Sequence, residues 1–349
     1  MQLLANVAPD QADESSGIPR ISIVVPSFND ALNLRECLAA LRLAAPPDAE
    51  IIVVDDASTD DSASVAGDAR VRLIRLPKNS GPAAARNTGA GAARGEILFF
   101  VDSDVAIASD AVQRVLAAFD KHPDLAAVFG SYDASPNAQG LVSQYRNLLH
   151  HFVHQDGNPD ASTFWAGCGA IRRAVFIEVG GFDERHFRRP AIEDIELGYR
   201  LRQAGHRILL DKRLQGKHFK TWTLRSLLIT DIRARALPWS RLILERQIST
   251  DHLNLRVDQR ASAALVMLGL GCLALACFRP VLLVPAVIAL LAVVCLNRRL
   301  YKFFAQRRGI CFALAAIPLH LLYFVYSTIS YLWVWAAVSF ERHARAARL

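Results

Sequence analysis

The chain has 349 residues, 52% of them hydrophobic, and carries 40 Lys and Arg against 33 Asp and Glu. The excess is local: residues 1–250 carry 29 Lys/Arg against 30 Asp/Glu, whereas 251–349 carry 11 against 3 and also hold the long uncharged runs. This distribution excludes a nucleic-acid-binding face as the source of the net charge and points to a membrane anchor with basic flanks. The six cysteines (Cys37, Cys168, Cys272, Cys277, Cys295 and Cys311) have neither CxxC nor metal spacing and read as small core residues of a reducing compartment.

Residues 1–19 include Asp10, Asp13 and Glu14 and lack a basic start followed by an apolar core, so the reading is a disordered cytoplasmic tail and not a signal peptide. Ile21–Val25 reads as a buried strand stopped by Pro26. A turn through Asp30 then starts a helix carrying Leu34, Leu38 and Leu41 on one face. Residues 51–54 form a second strand, running into Asp55 and Asp56, and residues 71–76 a third. The turn at 78–82 leads into an Ala-rich helix, 83–93, with Arg86 in its first turns. Residues 97–101 are a fourth apolar strand that ends in Asp102-Ser103-Asp104; a helix at 110–120 and a strand at 125–129 follow.

Strands and helices alternating at this spacing predict an α/β fold, Rossmann-like and doubly wound, with a mostly parallel sheet. Ligands gather at the carboxyl ends of such strands. Taken singly, Asp30, Asp55 and Asp60 read as helix caps and Arg86 as a surface charge. As a set they crowd one edge, and carboxylates so placed call for a cation or donor groups; hard oxygen ligands suit Mg2+ or Mn2+.

Downstream, residues 141–153 read as an amphipathic helix with His150, His151 and His154 nearby, preferred over a structural metal site. Residues 164–173, FWAGCGAIRR, read as a loop whose small residues allow close backbone approach, and Gly180–Glu184 (GGFDE) as a turn. A helix over 191–201 has Glu193, Asp194 and Glu196 in its first turn, which the helix dipole favours. Residues 207–210 read as a last strand, and His218 lies in the segment after it. Residues 222–258 read as amphipathic interface helices interrupted near Pro238, and 259–349 as a transmembrane helix bundle with spans near 261–278, 280–296 and 311–338. The basic loop 298–308 is expected on the cytoplasmic side; one more crossing puts Arg342, Arg345 and Arg348 outside, a conflict the sequence leaves open.

The runs ISIVVPSFND, IIVVDDASTD, GPAAARNTGA and ILFFVDSD, in this order and spacing, resemble the family 2 glycosyltransferases over residues 20–225. The resemblance implies a nucleotide-sugar-dependent, inverting transferase domain over residues 20–221. It implies that Pro26, Asp30, Asp55, Asp56, Arg86, Asp102 and Glu193 bind the nucleotide-sugar. Asp55 and Asp56 would meet base and ribose, Asp30 (where the family usually has Glu) the ribose, and Arg86 the base or pyrophosphate. Asp102 and Asp104, with His218, would hold Mn2+ or Mg2+, and Asp194 would be the catalytic base. The loop 164–173 would border the sugar and GGFDE the acceptor. A UDP-sugar donor, a lipid or glycan hydroxyl acceptor, a multi-pass inner or plasma membrane location and a cytoplasmic catalytic domain complete the expectation. A polyprenyl-phosphate sugar synthase and an inert membrane scaffold are the alternatives. A sugar-nucleotide pyrophosphorylase is disfavoured because no Gly-rich N-terminal phosphate loop is present.

Overall fold

A computed structural model describes residues 18–69, 71–246 and 256–346. The expected tail through Gly17, Arg348 and the side chain of Arg345 lie outside the described residues. The chain divides into two compact units. The first runs to Asn137 and resumes over Asn158–Lys220; the second comprises Ala138–Gly157 and the chain from Thr221 onward.

The first unit is built on strands β1 (Ile21–Ser27), β2 (Glu50–Asp55), β3 (Arg72–Arg75), β4 (Ile97–Val101), β5 (Val105–Ile107), β6 (Leu125–Tyr132), β7 (Cys168–Arg172) and β8 (Arg207–His218). They form one mixed sheet in the order β3-β2-β1-β4-β7-β6-β8-β5. The first four are parallel, β7 runs against both β4 and β6, β6 and β8 are parallel, and β5 runs against β8. Its helices are α1 (Ala31–Ala44), α2 (Ser62–Asp68), α3 (Pro82–Ala92) and α4 (Ala111–Lys121), then α6 (Arg173–Glu178) and α7 (Glu193–Gln203), with α5 (Leu141–Asp156) in the other unit. Two apolar layers cover the sheet. Ile23, Val25, Val53 and Phe99 join Leu34, Leu38 and Leu41 of α1 on one side; Val24, Ile52, Leu98 and Phe100 join Ala83 of α3 and Leu197 of α7 on the other. Burial on both faces is why residues 23–25 and ILFFV run apolar without alternation.

Three local expectations change. β1 passes through Pro26 to Ser27, because beyond Val24 its register with β4 has ended and β2 alone flanks it, so the missing N–H interrupts no ladder on the open side. The expected loop at 164–173 contains β7. Its glycine at 169 admits the folded-back Trp165, whose carbonyl would lie 2.3 Å from a Cβ there. The last strand runs on to His218 instead of ending at Leu210, crossing irregularities in its pairing with β6.

In the second unit, α8 (Leu224–Ile229) opens on a Thr223–Ser226 capping box and continues through a π-helical turn, Thr230–Ala236, into α9 (Leu237–Arg246). No break occurs at Pro238. The wider turn immediately upstream relieves the clash that a proline ring makes with the carbonyl four residues back. Helices α10 (Val257–Leu275), α11 (Leu283–Leu296), α12 (Arg298–Arg308) and α13 (Ile310–Ala346) follow. α10 and α13 are long and apolar enough to cross a membrane. The expected span at 280–296 is not a full span by itself: α11 has 14 residues, about 21 Å of helix against a hydrocarbon core of about 30 Å. It reaches that length only together with α12, across a 66° bend. Buried polar pairs tie these helices, with Asn297 Nδ2 donating to Ser262 Oγ at 2.9 Å and Tyr326 donating to Asp231 at 2.6 Å.

Candidate active site

The carboxyl ends of β1, β2 and β4 carry the acids singled out in the sequence. Asp55 is buried; its Oδ1 accepts from the Ser58 N–H at 3.0 Å and its Oδ2 from Arg75 Nε at 3.0 Å. Asp56 is also buried and accepts from the N–H groups of Ser80 (2.7 Å) and Gly81 (2.8 Å), which fixes the entry to α3. Burial raises its carboxyl against these two hydrogen bonds. Asp30 occupies the residue before α1 but makes no capping bond. Its carboxylate accepts from Asn33 Nδ2 (2.6 Å) and from the Ser103 hydroxyl (2.7 Å), so it is turned toward the end of β4. Burial is again the main cause of its raised pKa, with Asp104 and Asp60 adding to it. Asn29 takes a left-handed φ of 50° and accepts the Thr59 N–H at 2.8 Å, closing the β1 and β2 loops on each other.

Arg86 organises the other side. Its guanidinium is buried and donates to Asp102 Oδ1 at 2.6 Å and to Glu193 Oε1 at 2.9 Å. Burial opposes its charge, but Asp102 and then Glu193 hold it more firmly protonated than an isolated arginine. Its Nε is buried and has no hydrogen-bond partner among the described residues. Its two terminal nitrogens thus bridge the carboxylate that follows β4 and the one that opens α7. The second Glu193 oxygen accepts the Ala191 N–H at 2.9 Å.

Asp194 follows. It keeps an opening to solvent, and its oxygens accept from the Ala166 N–H (3.2 Å) and the Ile195 N–H (2.8 Å). Burial, then the Glu193 charge, push its carboxyl up to about 7, against the pull of Arg86. The enclosure outweighs the helix dipole, which favours an ionised acid in this first turn.

Asp104, just before β5, and His218, at the end of β8, meet where these two strands pair, with His218 Nε2 3.2 Å from Asp104 Oδ2. Burial acts to raise the Asp104 carboxyl, but His218 and then Lys220 hold it below the usual range. Among the described residues no group of three His, Cys, Asp or Glu side chains is placed to hold a metal ion. Asp102, expected as a ligand, gives its Oδ1 to Arg86. The donor set does suit a cation held by one carboxylate and one imidazole, because Mg2+-like ions characteristically use one or two protein carboxylates and leave other positions to substrate phosphates and water.

Several residues that the sequence reading passed over shape this site. Tyr132 stacks on His218 and meets Trp165 edge-on. Asn87 exchanges hydrogen bonds with the Phe182 backbone and also donates to Glu184, while Arg200 donates to the carbonyls of Val179 and Gly181, so the GGFDE turn is held from α3 and α7. Asn87 adjoins Arg86 in a quoted motif; Tyr132 and Arg200 had no signal in spacing.

An acid-rich edge at the ends of parallel strands, closed by an arginine, a histidine and a helix-borne Asp, defines a ligand-binding α/β domain of the nucleotide-handling class. Residues 22–180 match the model of Glycosyl transferase family 2. An uncharacterized glycosyltransferase of Haemophilus influenzae is 38% identical over 139 residues, covering 38% of this chain and 55% of that protein. Validoxylamine A glucosyltransferase of Streptomyces hygroscopicus subsp. limoneus is 32% identical over 235 residues, covering 58% of this chain and 51% of that protein. The chain spans about half the length of these curated relatives. In fold it is similar to the mannosyltransferase PcManGT of Pyrobaculum calidifontis, solved with GDP-Man and Mn2+, with a TM-score of 0.56, 19% identity, and coverage of 95% of this chain and 92% of that one.

Proposed function

We propose that the protein is a membrane-associated, inverting glycosyltransferase that moves a sugar from a nucleoside-diphosphate sugar to a hydroxyl of a lipid or glycan. Asp30, Asp55 and Asp56 line the nucleotide edge, Glu193 and Asp194 the acceptor side. Asp104 and His218 would hold a divalent cation, Mn2+ or Mg2+, which supplies counter-charge to the donor diphosphate. Arg86 clamps Asp102 to Glu193 and so fixes the donor side relative to the base. The family match and the Mn2+-bound fold neighbour support donor and metal class; the apolar helices α10 and α13 support the membrane.

The observation that carries the reading is Asp194. A carboxyl raised to about 7 and partly open to solvent is matched to removing a proton from a hydroxyl near neutral pH. Direct displacement needs such a group on the acceptor side, opposite the leaving diphosphate. The test is thermal unfolding of the purified chain with Mn2+ and UDP-, GDP- and dTDP-sugars. One donor should raise the midpoint only with the cation present, and Asp104→Ala should remove that gain. A UDP-sugar is the first choice, on the habit of the family alone. No shift with any donor would sink the transferase reading.

A further inference from the structure

α12 is the most basic element of the second unit: eleven residues hold Arg298, Arg299, Lys302, Arg307 and Arg308 and no acid. Its apolar face is already used. Leu300, Tyr301 and Phe304 are buried, and Phe304 packs edge-on against Tyr145 and Phe312. The other face is left to the cations.

Among the described residues only Arg299 has an acidic partner, Asp156 at 2.6 Å, and Arg256 shares that carboxylate at 2.8 Å. The remaining contacts are neutral: Arg298 reaches the Cys295 carbonyl, Arg308 reaches Gln144 Oε1 at 2.6 Å, and Arg307 lies over the Phe303 ring. Even the paired Arg299 side chain is 69% exposed. Single residues, Asn297 and Gly309, separate α12 from the apolar helices α11 and α13, and the chain bends by 66° at the first of these junctions. Four cations without acidic partners are too costly for hydrocarbon, yet their neighbours on both sides are apolar enough to enter it. A helix in that position belongs at the bilayer surface, where its charges meet headgroups.

We propose that the outward face of α12 binds the anionic phospholipid surface of a bilayer through Arg298, Lys302 and Arg307. The proposal rests on the membrane-associated reading. Each cation beside an anionic leaflet strengthens attachment by roughly fivefold at moderate salt, so loss of three would weaken it by roughly a hundredfold.

The experiment uses the full chain in nanodiscs of phosphatidylcholine alone or mixed with phosphatidylglycerol, followed by thermal unfolding and by mass spectrometry of retained lipid. The midpoint should be higher in the anionic discs, with phosphatidylglycerol retained, and the gain should vanish at high salt. The variant Arg298→Gln/Lys302→Gln/Arg307→Gln should lose the gain yet unfold normally in zwitterionic discs, and Arg298→Lys/Arg307→Lys should keep it. Equal midpoints in both lipids, or a gain that survives the triple substitution, would overturn the proposal while leaving membrane insertion intact. Failure to enter either disc would overturn the membrane reading and the proposal together. A gain reproduced by soluble glycerophosphate would overturn the bilayer surface as the partner.

Discussion

The Tyr132 ring lies parallel to the His218 imidazole, with centroids 4.2 Å apart and planes 8° apart. Trp165 closes on Tyr132 edge-to-face at 4.8 Å. β6 and the segment before β7 therefore wall in the imidazole whose Nε2 points at Asp104, so its orientation is set before any ligand arrives. Residues that orient a metal-binding imidazole typically contribute tenfold or more to affinity. Tyr132→Leu should weaken Mn2+ binding by about tenfold, and His218→Ala should weaken it further. Mn2+ titration followed by paramagnetic resonance of the free ion reads both. Unchanged affinity in Tyr132→Leu would separate the stack from the cation site.

Asp194 must be ionised to act as a base. Turnover on a hydroxyl acceptor should climb about tenfold per pH unit below about 7 and level off above it. Asp194→Asn should flatten the profile and lower the plateau by about 100-fold, with donor affinity within a few-fold. Stability moves the opposite way. With the folded pKa above the unfolded one, the folded chain binds the extra proton between the ordinary carboxylate range and about 7, so this contribution declines as pH rises through that window. Asp194→Asn should therefore gain on the native chain above neutrality in thermal scans at graded pH. Full turnover in the variant would remove the base from this residue and favour an acceptor already charged, such as a lipid phosphate.

Replacing Arg86 by Met leaves Asp102 and Glu193 facing each other without their shared counter-ion. Breaking a buried pair from one side costs about 3–5 kcal/mol, measurable by urea unfolding. Lys at this position can serve one carboxylate at a time and should recover part of the loss. Arg86 also lowers the Asp194 pKa, so in either variant the midpoint of the pH–rate curve should move up in proportion to the interaction lost. A midpoint that stays put while stability falls would confine Arg86 to a structural role.

Gly81 has φ 90°, and a Cβ there would lie 2.4 Å from the Arg188 carbonyl. Its N–H is one of the two donors held by Asp56. Gly81→Ala should cost about 1–3 kcal/mol from backbone strain, plus whatever is needed to move the backbone that leads into Glu193 and Asp194. Turnover should fall more than donor affinity, because the acceptor-side loop is what must yield. Steady-state kinetics beside denaturant titration separates the two effects.

The strands of the first unit were legible because sheets covered on both faces need uninterrupted apolar runs, and the acids that follow them mark the carboxyl edge. β7 was hidden because Gly167, Cys168 and Gly169 carry no strand preference; tertiary packing of Trp165 overrides propensity there. The Arg86 clamp was hidden for another reason. Its partners are 16 and 107 residues away, and charge alone does not say whether an arginine is turned to a ligand or to its own fold. Likewise, the periodicity of α5 shows that one face is buried but not against what. Its neighbours proved to be α12 and α13: Phe152 and His151 pack on Phe303, and Gln144 meets Arg308.

That last assignment bears on ancestry. α5 lies inside the 22–180 stretch that defines the family domain, yet its packing partners lie at the far end of the chain. Crossover between genes of this family at any single point after residue 157 would deliver foreign C-terminal helices to a native α5. Compensated exchanges should therefore leave a record of paired changes, with positions such as Gln144, Tyr145 and Phe152 varying in step with Phe303, Phe304 and Arg308 across related chains, while the strands on either side of α5 vary independently of them.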